Sequence, residues 1–171
     1  MRILVLGVGN ILLTDEAIGV RIVEALEQRY ILPDYVEILD GGTAGMELLG
    51  DMANRDHLII ADAIVSKKSA PGTMMILRDE EVPALFTNKI SPHQLGLADV
   101  LSALRFTGEF PKKLTLVGVI PESLEPHIGL TPTVEAMIEP ALEQVLAALE
   151  QVLAALRESG VEALPREAIH D

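Results

Sequence analysis

The chain contains no cysteine and very few aromatic residues, and these absences remove several classes of protein. Without cysteine, the 171 residues form no disulfide, no thiolate zinc site and no cysteine nucleophile. Aromatic residues make up only 3% of a chain that is 49% hydrophobic, so the core must consist mainly of Leu, Ile, Val and Ala. The length and apolar content predict one domain spanning residues 1–171.

An excess of positive charge and long hydrophobic runs are also missing. The formal net charge is -13, which argues against a nucleic acid or an anionic membrane as a partner. No apolar run approaches the ~20 residues that a membrane-spanning helix needs. The N-terminal segment also lacks the pattern of a signal peptide. We therefore expect a cytoplasmic protein with no membrane or nucleic-acid partner.

What the sequence does contain is an alternation of short apolar strands with amphipathic helices. The predicted strands cover 2–9, 35–42, 57–64, 72–79 and 113–121, and the predicted helices cover 15–30, 43–54, 91–104 and 131–159. This order predicts an α/β three-layer sandwich, with a mainly parallel five-stranded sheet between helices and the fourth strand at an edge. We expect Thr14 to cap the first helix and Pro140 to kink or interrupt the last.

The last helix contains the heptad "EQVLAAL" twice, at 143–149 and 150–156. Two heptads are too few to predict a coiled coil. Seven residues make nearly two helical turns, so the second copy presents almost the same face and lengthens the helix by about 10 Å. We interpret the repeat as a local duplication that the helix absorbs by extending, without affecting the functional site.

The N-terminal stretch "GVGNILLTDEAIGV", residues 7–20, begins like a dinucleotide-binding loop. Gly7 and Gly9 lie between a predicted strand and a predicted helix, as that motif requires. Asp40 ends the second strand, where such folds place an acid that binds ribose. The third glycine of the motif is missing, however, because Leu12 occupies its place.

The second half of the same stretch carries two acids, Asp15 and Glu16. Acids in a first helical turn are common, because they interact favourably with the helix dipole. At this position, however, they would repel the pyrophosphate of a dinucleotide and attract a cation. The stretch therefore favours a cation over an anion as its ligand.

Three candidate ligands follow the carboxyl ends of strands, where open α/β sheets bind their ligands. Glu16 follows the first strand, Asp62 closes the third, and His93 lies in "SPHQLG" at the start of a helix. Each alone is compatible with an ordinary role, as a cap, a turn acid or a surface histidine. Together, two carboxylates and an imidazole suit Zn, Ni, Fe or Mn, and an open fourth position would make the site catalytic or metal-sensing.

The other histidines are weaker candidates. His57 precedes a strand and so lies at the wrong end of the sheet, His127 is a reserve ligand or rim residue, and His170 is near the end of the chain. The sequence contains neither H-E-x-x-H nor G-x-S-x-G, so the common metalloprotease and serine-hydrolase signatures are absent.

Five ordered motifs resemble those of the [NiFe]-hydrogenase maturation proteases, and together they cover essentially the whole chain: "GVGNILLTDEAIGV", "DGGTAG" at 40–45, "IIADAI" at 59–64, "SPHQLG" at 91–96 and "LVGVIPE" at 116–122. The repeated heptad is the one departure from the family pattern. The resemblance implies an α/β sandwich and an endopeptidase that removes a C-terminal extension from the hydrogenase large subunit precursor after nickel insertion.

The resemblance also implies roles for particular residues. Glu16, Asp62 and His93 would be both the metal-binding and the catalytic residues, and nickel would be delivered by the substrate. Zn or another divalent ion would be able to occupy the site in vitro. The family is classed with aspartic-type peptidases, although the paired D-T/S-G motifs of classical aspartic proteases are absent.

Further residues near these motifs receive supporting roles, and two other functions remain open. Asp15 and Asp40 are secondary candidates for a base or for supporting the ligands. The glycines of "DGGTAG", Gly41, Gly42 and Gly45, predict a flexible rim that an extended peptide can approach. The alternatives are a non-catalytic nickel-binding chaperone of hydrogenase assembly and a Rossmann-like nucleotide-binding module.

Overall fold

A computed structural model describes residues 1–88, 92–157 and 164–165, with the backbone alone for 92, 152–157 and 164–165. Ser91 of "SPHQLG" and His170 lie outside the described residues. Within the described part, no helix combines the length and the apolar character needed to cross a membrane.

The chain alternates between strands and helices, as predicted. The strands are β1 (Ile3–Val8), β2 (Tyr30–Ile31), β3 (Val36–Gly42), β4 (His57–Ala63), β5 (Met74–Arg78), β6 (Lys113–Val119) and β7 (Leu164–Pro165). The helices are α1 (Ile18–Arg29), α2 (Leu49–Met52), α3 (Glu81–Thr87), α4 (Pro92–Thr107), α5 (Pro132–Glu135) and α6 (Ile138–Arg157). Short 3-10 turns, Thr14–Ala17 and Met46–Leu48, precede α1 and α2.

The main sheet has five strands in the order β3-β1-β4-β6-β5. β3, β1, β4 and β6 are parallel, and β5 pairs antiparallel with β6 at one edge. The predicted mainly parallel five-stranded sheet is therefore confirmed. The two-residue strands β2 and β7 form a separate antiparallel pair, which is too short to leave a pattern in the sequence.

Alternate residues of the central strands face two separate layers of helices. Ile3 and Val5 of β1 belong to a core with α1 and α6, whereas Leu4 and Leu6 pack with α2, α3 and α4 on the other face. Because both faces are covered, β1 and β4 are buried along their whole length. This explains why they are unbroken apolar runs and confirms the α/β three-layer sandwich.

The predicted cap at Thr14 is wrong. Thr14 has a φ of 48°, and its hydroxyl donates a hydrogen bond to the carbonyl of Glu125, 111 residues away in the sequence. The residue that precedes α1 is Ala17, and it makes no capping hydrogen bond through its side chain. Thr14 therefore joins two loops instead of starting a helix.

The closing helix is interrupted just before Pro140. α5 ends at Glu135 and α6 begins at Ile138, which places Pro140 in the first turn of α6. A proline is tolerated there because the N–H groups of a first turn have no partner within the helix. Pro140 has no N–H to donate to the carbonyl of Ala136, and the helix is interrupted at Ala136. α6 then runs without interruption through both copies of the repeated heptad.

Candidate active site

Glu16, Asp62 and His93 meet at the carboxyl edge of the parallel strands. Glu16 lies in the 3-10 turn after β1, Asp62 lies near the end of β4, and His93 is the second residue of α4. The imidazole of His93 lies between the two carboxylates. Its Nδ1 is 3.3 Å from Oε1 of Glu16, and its Nε2 is 3.1 Å from Oδ1 of Asp62. The parallel topology thus brings together residues that are far apart in the sequence.

The two carboxylates make His93 a stable cation. Asp62 is fully buried, His93 is 5% exposed, and Glu16 is partly exposed. Burial is the largest single influence on the pKa of His93 and lowers it, but the hydrogen bonds and charges of Asp62 and Glu16 together outweigh it and raise this pKa to about 9. At neutral pH His93 therefore donates one N–H to each carboxylate.

The environments of the two acids differ. Burial raises the pKa of Asp62, and the hydrogen bonds from His93 and Gln94 oppose that rise. The hydrogen bond from His93 lowers the pKa of Glu16 by more than partial burial raises it. Glu16 is therefore ionised at neutral pH, and as the more exposed acid it is the one that an incoming ligand meets first.

Gln94 is a fourth polar member of the cluster, and the sequence analysis missed it. Its buried side-chain amide donates hydrogen bonds to Oδ2 of Asp62 at 2.9 Å and to the carbonyl of Ala63 at 3.0 Å. These bonds fix the orientation of the Asp62 carboxylate beside His93. A glutamine in a first helical turn carries no pattern of its own, and its place next to His93 is the only signal in the sequence.

The loop between β1 and α1 explains the resemblance to a phosphate-binding loop. Gly9 has a φ of +134°, and a Cβ there would lie 1.9 Å from the carbonyl oxygen of Glu16, so the turn requires glycine. The amide of Asn10 donates a hydrogen bond to Oε1 of Glu16 at 3.1 Å. The Glu16 carboxylate therefore occupies a loop amide that would bind phosphate in a nucleotide-binding loop. This disfavours the nucleotide-binding alternative.

Asp15 is a buried anchor for the loop after β6. Its carboxylate accepts hydrogen bonds from the amides of Glu122 at 2.9 Å, Ser123 at 3.0 Å and Thr131 at 2.8 Å, and from the hydroxyl of Thr131. Both carboxylate oxygens are therefore occupied by donors of the chain. This arrangement favours a role in positioning the neighbouring Glu16 over a role as a base.

The remaining candidates lie outside this cluster. Asp40 is exposed and accepts a hydrogen bond from the amide of Gly42 at 2.9 Å. His127 is exposed on the loop after β6, and His57 is buried at the start of β4, at the opposite edge of the sheet. None of these three side chains takes part in the contacts that His93 makes with Glu16 and Asp62.

The three site residues face one another and not a common point. Each ring nitrogen of His93 is directed at a different carboxylate. Among the residues with described side chains, no group of three or more His, Asp or Glu has the geometry to hold a metal ion. The donor set of two carboxylates and an imidazole does suit a divalent transition metal. Metal binding by Glu16, Asp62 and His93 therefore remains a prediction, and it requires the ring of His93 to lose a proton and move.

A buried acid–imidazole–acid cluster at the carboxyl edge of an α/β sheet is typical of a site that binds a ligand and holds or transfers protons beside it. Comparison with known proteins gives the particular family. The family model HycI, described as hydrogenase maturation protease, matches residues 20–148. The chain therefore belongs to the hydrogenase maturation protease family, as its motifs indicate.

Individual relatives support this assignment. The chain is 95% identical over 171 residues to the hydrogenase 2 maturation protease of Escherichia coli (strain K12), with 100% of both chains covered. It is 47% identical to the hydrogenase expression/formation protein HupM of Azotobacter chroococcum mcd 1, over 97% of this chain and 77% of that protein. The solved structure of the hydrogenase maturating endopeptidase HybD from E. coli matches with a TM-score of 0.87 and 93% identity, over 98% of this chain and 99% of that one.

Proposed function

We propose that this protein is an endopeptidase that removes a C-terminal extension from the large subunit precursor of a [NiFe] hydrogenase, and that it uses the nickel in that precursor to recognise it. The proposal rests on family membership and on one structural observation, the placement of His93 between Glu16 and Asp62. Nickel arrives as part of the substrate, held by ligands of the large subunit.

The cluster of Glu16, Asp62 and His93 is suited to distinguishing a precursor that contains nickel from one that does not. The imidazolium of His93 balances two carboxylates that would otherwise repel each other. A divalent cation presented by the substrate is able to replace this charge, with Glu16, Asp62 and neutral His93 as its ligands. A precursor without nickel offers no such exchange and binds more weakly. Gln94 holds the Asp62 carboxylate in place during the exchange.

Two routes to peptide hydrolysis fit these residues. In both, the oxygen of a water molecule attacks the scissile carbonyl, the C–N bond breaks, and a proton moves to the leaving nitrogen. The ion would either polarise the carbonyl or lower the pKa of the water, while a carboxylate accepts the proton. Because the ring of His93 lies between Glu16 and Asp62, the two acids do not form the directly coupled pair of a classical aspartic protease.

Replacement of the three site residues tests this function. Glu16→Gln, Asp62→Asn and His93→Ala are each incubated with nickel-loaded precursor, and release of the C-terminal peptide is followed by mass spectrometry. We expect processing to slow by about 100-fold or more in each case. Asp34→Asn and Glu143→Gln are matched controls, because both residues are exposed and lie away from the site, Asp34 just before β3 and Glu143 within α6. Normal processing by all three site variants would refute the assignment.

The non-catalytic nickel chaperone is the second candidate, because the acid–imidazole cluster alone is equally compatible with holding an ion. A chaperone predicts no loss of mass from the precursor, so the same spectra distinguish the two. Calorimetric titration with Ni or Zn tests metal binding itself. A chaperone and a protease that binds metal both lose affinity on Glu16→Gln, whereas only the protease leaves a shortened large subunit.

A further inference from the structure

Exposed apolar side chains are concentrated on the loops around the site. Ten large hydrophobic residues of the described chain are more than a third exposed. Three of them lie elsewhere: Met1 at the N-terminus, Ile31 in β2 and Phe106 at the end of α4. The other seven follow β1, β3, β4 and β6 or lie in the first turn of α4, and we call them the apolar rim: Ile11, Leu12, Met46, Val65, Leu95, Leu124 and Ile128.

Backbone hydrogen bonds hold the loops after β1 and β6 together at the apolar rim. The amide of Thr14 bonds to the carbonyl of His127 at 2.9 Å, and the amide of His127 bonds to the carbonyl of Leu12 at 3.0 Å. The carboxylate of Asp15 accepts hydrogen bonds from the amides of Glu122 and Thr131 in the same loop. These bonds join the segment that carries Leu12 to the segment that carries Ile128, although 116 residues separate the two in the sequence.

The loop after β3 is held in a similar way. A Cβ built on Gly45 would lie only 3.3 Å from the Cα of Gly96, so this loop packs directly against the first turn of α4. That turn carries His93 and Leu95. Of the glycines that the sequence predicted as a flexible rim, Gly45 thus allows close contact between the loop and the helix, and Met46 is the next residue of that loop.

The polar residues between the rim side chains indicate the charge of a partner. Glu47, Glu122 and Glu125 are exposed on the loops after β3 and β6, as is Asp40 at the end of β3. Lys67 and Lys68 are the exposed basic residues on the loop after β4. Acids thus predominate on the β3 and β6 sides of the site. A partner with basic residues at the border of an apolar patch complements this surface.

We propose that the apolar rim is the surface on which the large subunit precursor docks. This inference rests on the proposed function. The rim lies at the same edge of the sheet as Glu16, Asp62 and His93, so a folded partner that brings a peptide to these residues meets it. The partner presents an apolar patch next to the segment that is cut, and basic side chains opposite Glu47, Glu122 and Glu125. Burial of apolar surface is the dominant favourable contribution to most protein–protein association.

The test compares rim and non-rim variants in processing of nickel-loaded precursor. Leu12→Ser and Ile128→Ser are combined, because these side chains are 54% and 68% exposed and their loss leaves the core intact. Phe106→Ser is the control, since Phe106 is 93% exposed at the other end of α4. We expect KM to rise about 30-fold or more in the double variant, with the effect on KM and not on kcat, and no change in the control.

Each result has a distinct meaning. A double variant that melts at the wild-type temperature but has an unchanged KM overturns the docking proposal alone, because wild-type cleavage would still support the protease. A wild-type chain that does not cleave the precursor overturns both. If sedimentation shows a wild-type dimer that the double variant abolishes, the rim binds a second copy of this chain, and the proposal is wrong.

Discussion

The buried carboxylate of Asp15 permits a quantitative prediction. In Asp15→Asn the side chain keeps its size, but one carboxylate oxygen becomes an NH2 group. The amide oxygen can accept from Glu122 and Ser123, so the NH2 then faces the amide of Thr131, which loses its 2.8 Å acceptor. A buried N–H without a partner costs about 1–3 kcal/mol. The loss of charge also weakens the bonds from the amides of Glu122 and Ser123 by about 1 kcal/mol each.

These costs are partly offset because the variant no longer buries a charge, and we expect a net loss of about 3 kcal/mol in the free energy of unfolding. For a chain of this size, that loss lowers the melting temperature by about 6–12 °C. Thermal unfolding followed by circular dichroism measures the shift. Amide hydrogen exchange should also accelerate at Glu122, Ser123 and Thr131, which the carboxylate now protects.

The control is Asp40→Asn, because Asp40 is exposed and its amide oxygen can still accept the hydrogen bond from Gly42. We expect this variant to melt within about 2 °C of the wild type, since surface changes stay within about 0.5 kcal/mol. If Asp15→Asn melts as the control does, with unchanged exchange at the three amides, the idea that Asp15 anchors the loop after β6 is refuted.

Three further predictions concern His57, Gly9 and the repeated heptad. Burial lowers the pKa of His57 to about 4. Between pH 6.5 and 4.5 the unfolded chain therefore binds a proton at His57 more readily than the folded chain, and the free energy of unfolding falls by about 2–3 kcal/mol. Urea unfolding should show this drop in the wild type and not in His57→Leu. Gly9→Ala should destabilise by at least about 1–3 kcal/mol and weaken Ni binding in calorimetry, whereas Gly50→Ala, with open space around its Cβ, should not. Deletion of 150–156 should leave precursor processing unchanged. Gln151, in the deleted segment, lines the same cavity as His57, which lies at the edge of the sheet opposite Asp62. Loss of processing would contradict the interpretation of the repeat as neutral.

The parts of the fold that follow from local pattern were predictable from the sequence. β1 and β4 are unbroken apolar runs because both of their faces are covered, and that pattern predicts parallel strands. Parallel strands place their carboxyl ends at one edge, and this rule predicts that Glu16 and Asp62 lie close together; His93 joins them from the start of α4.

The features that were missed depend on contacts between distant segments. Asp15 and Thr14 have the residue types of a helix start, but their side chains bond to residues 107–116 positions further along the chain. Gln94 gains its role only from the position of Asp62, 32 residues earlier. Neither spacing nor periodicity carries such information, so only the three-dimensional structure shows these contacts.

The bond between Asp15 and Thr131 also has a consequence for the timing of folding during synthesis. Asp15, which lies in the turn that carries Glu16, leaves the ribosome 116 residues before Thr131, whose amide donates a hydrogen bond to its carboxylate. At about 5–20 residues per second, this interval is roughly 6–23 s. During that time β1, β4 and α4 are already made, but the turn with Glu16 has no support from the loop after β6. We therefore expect the turn that carries Glu16 to reach its final position only after Thr131 has been made.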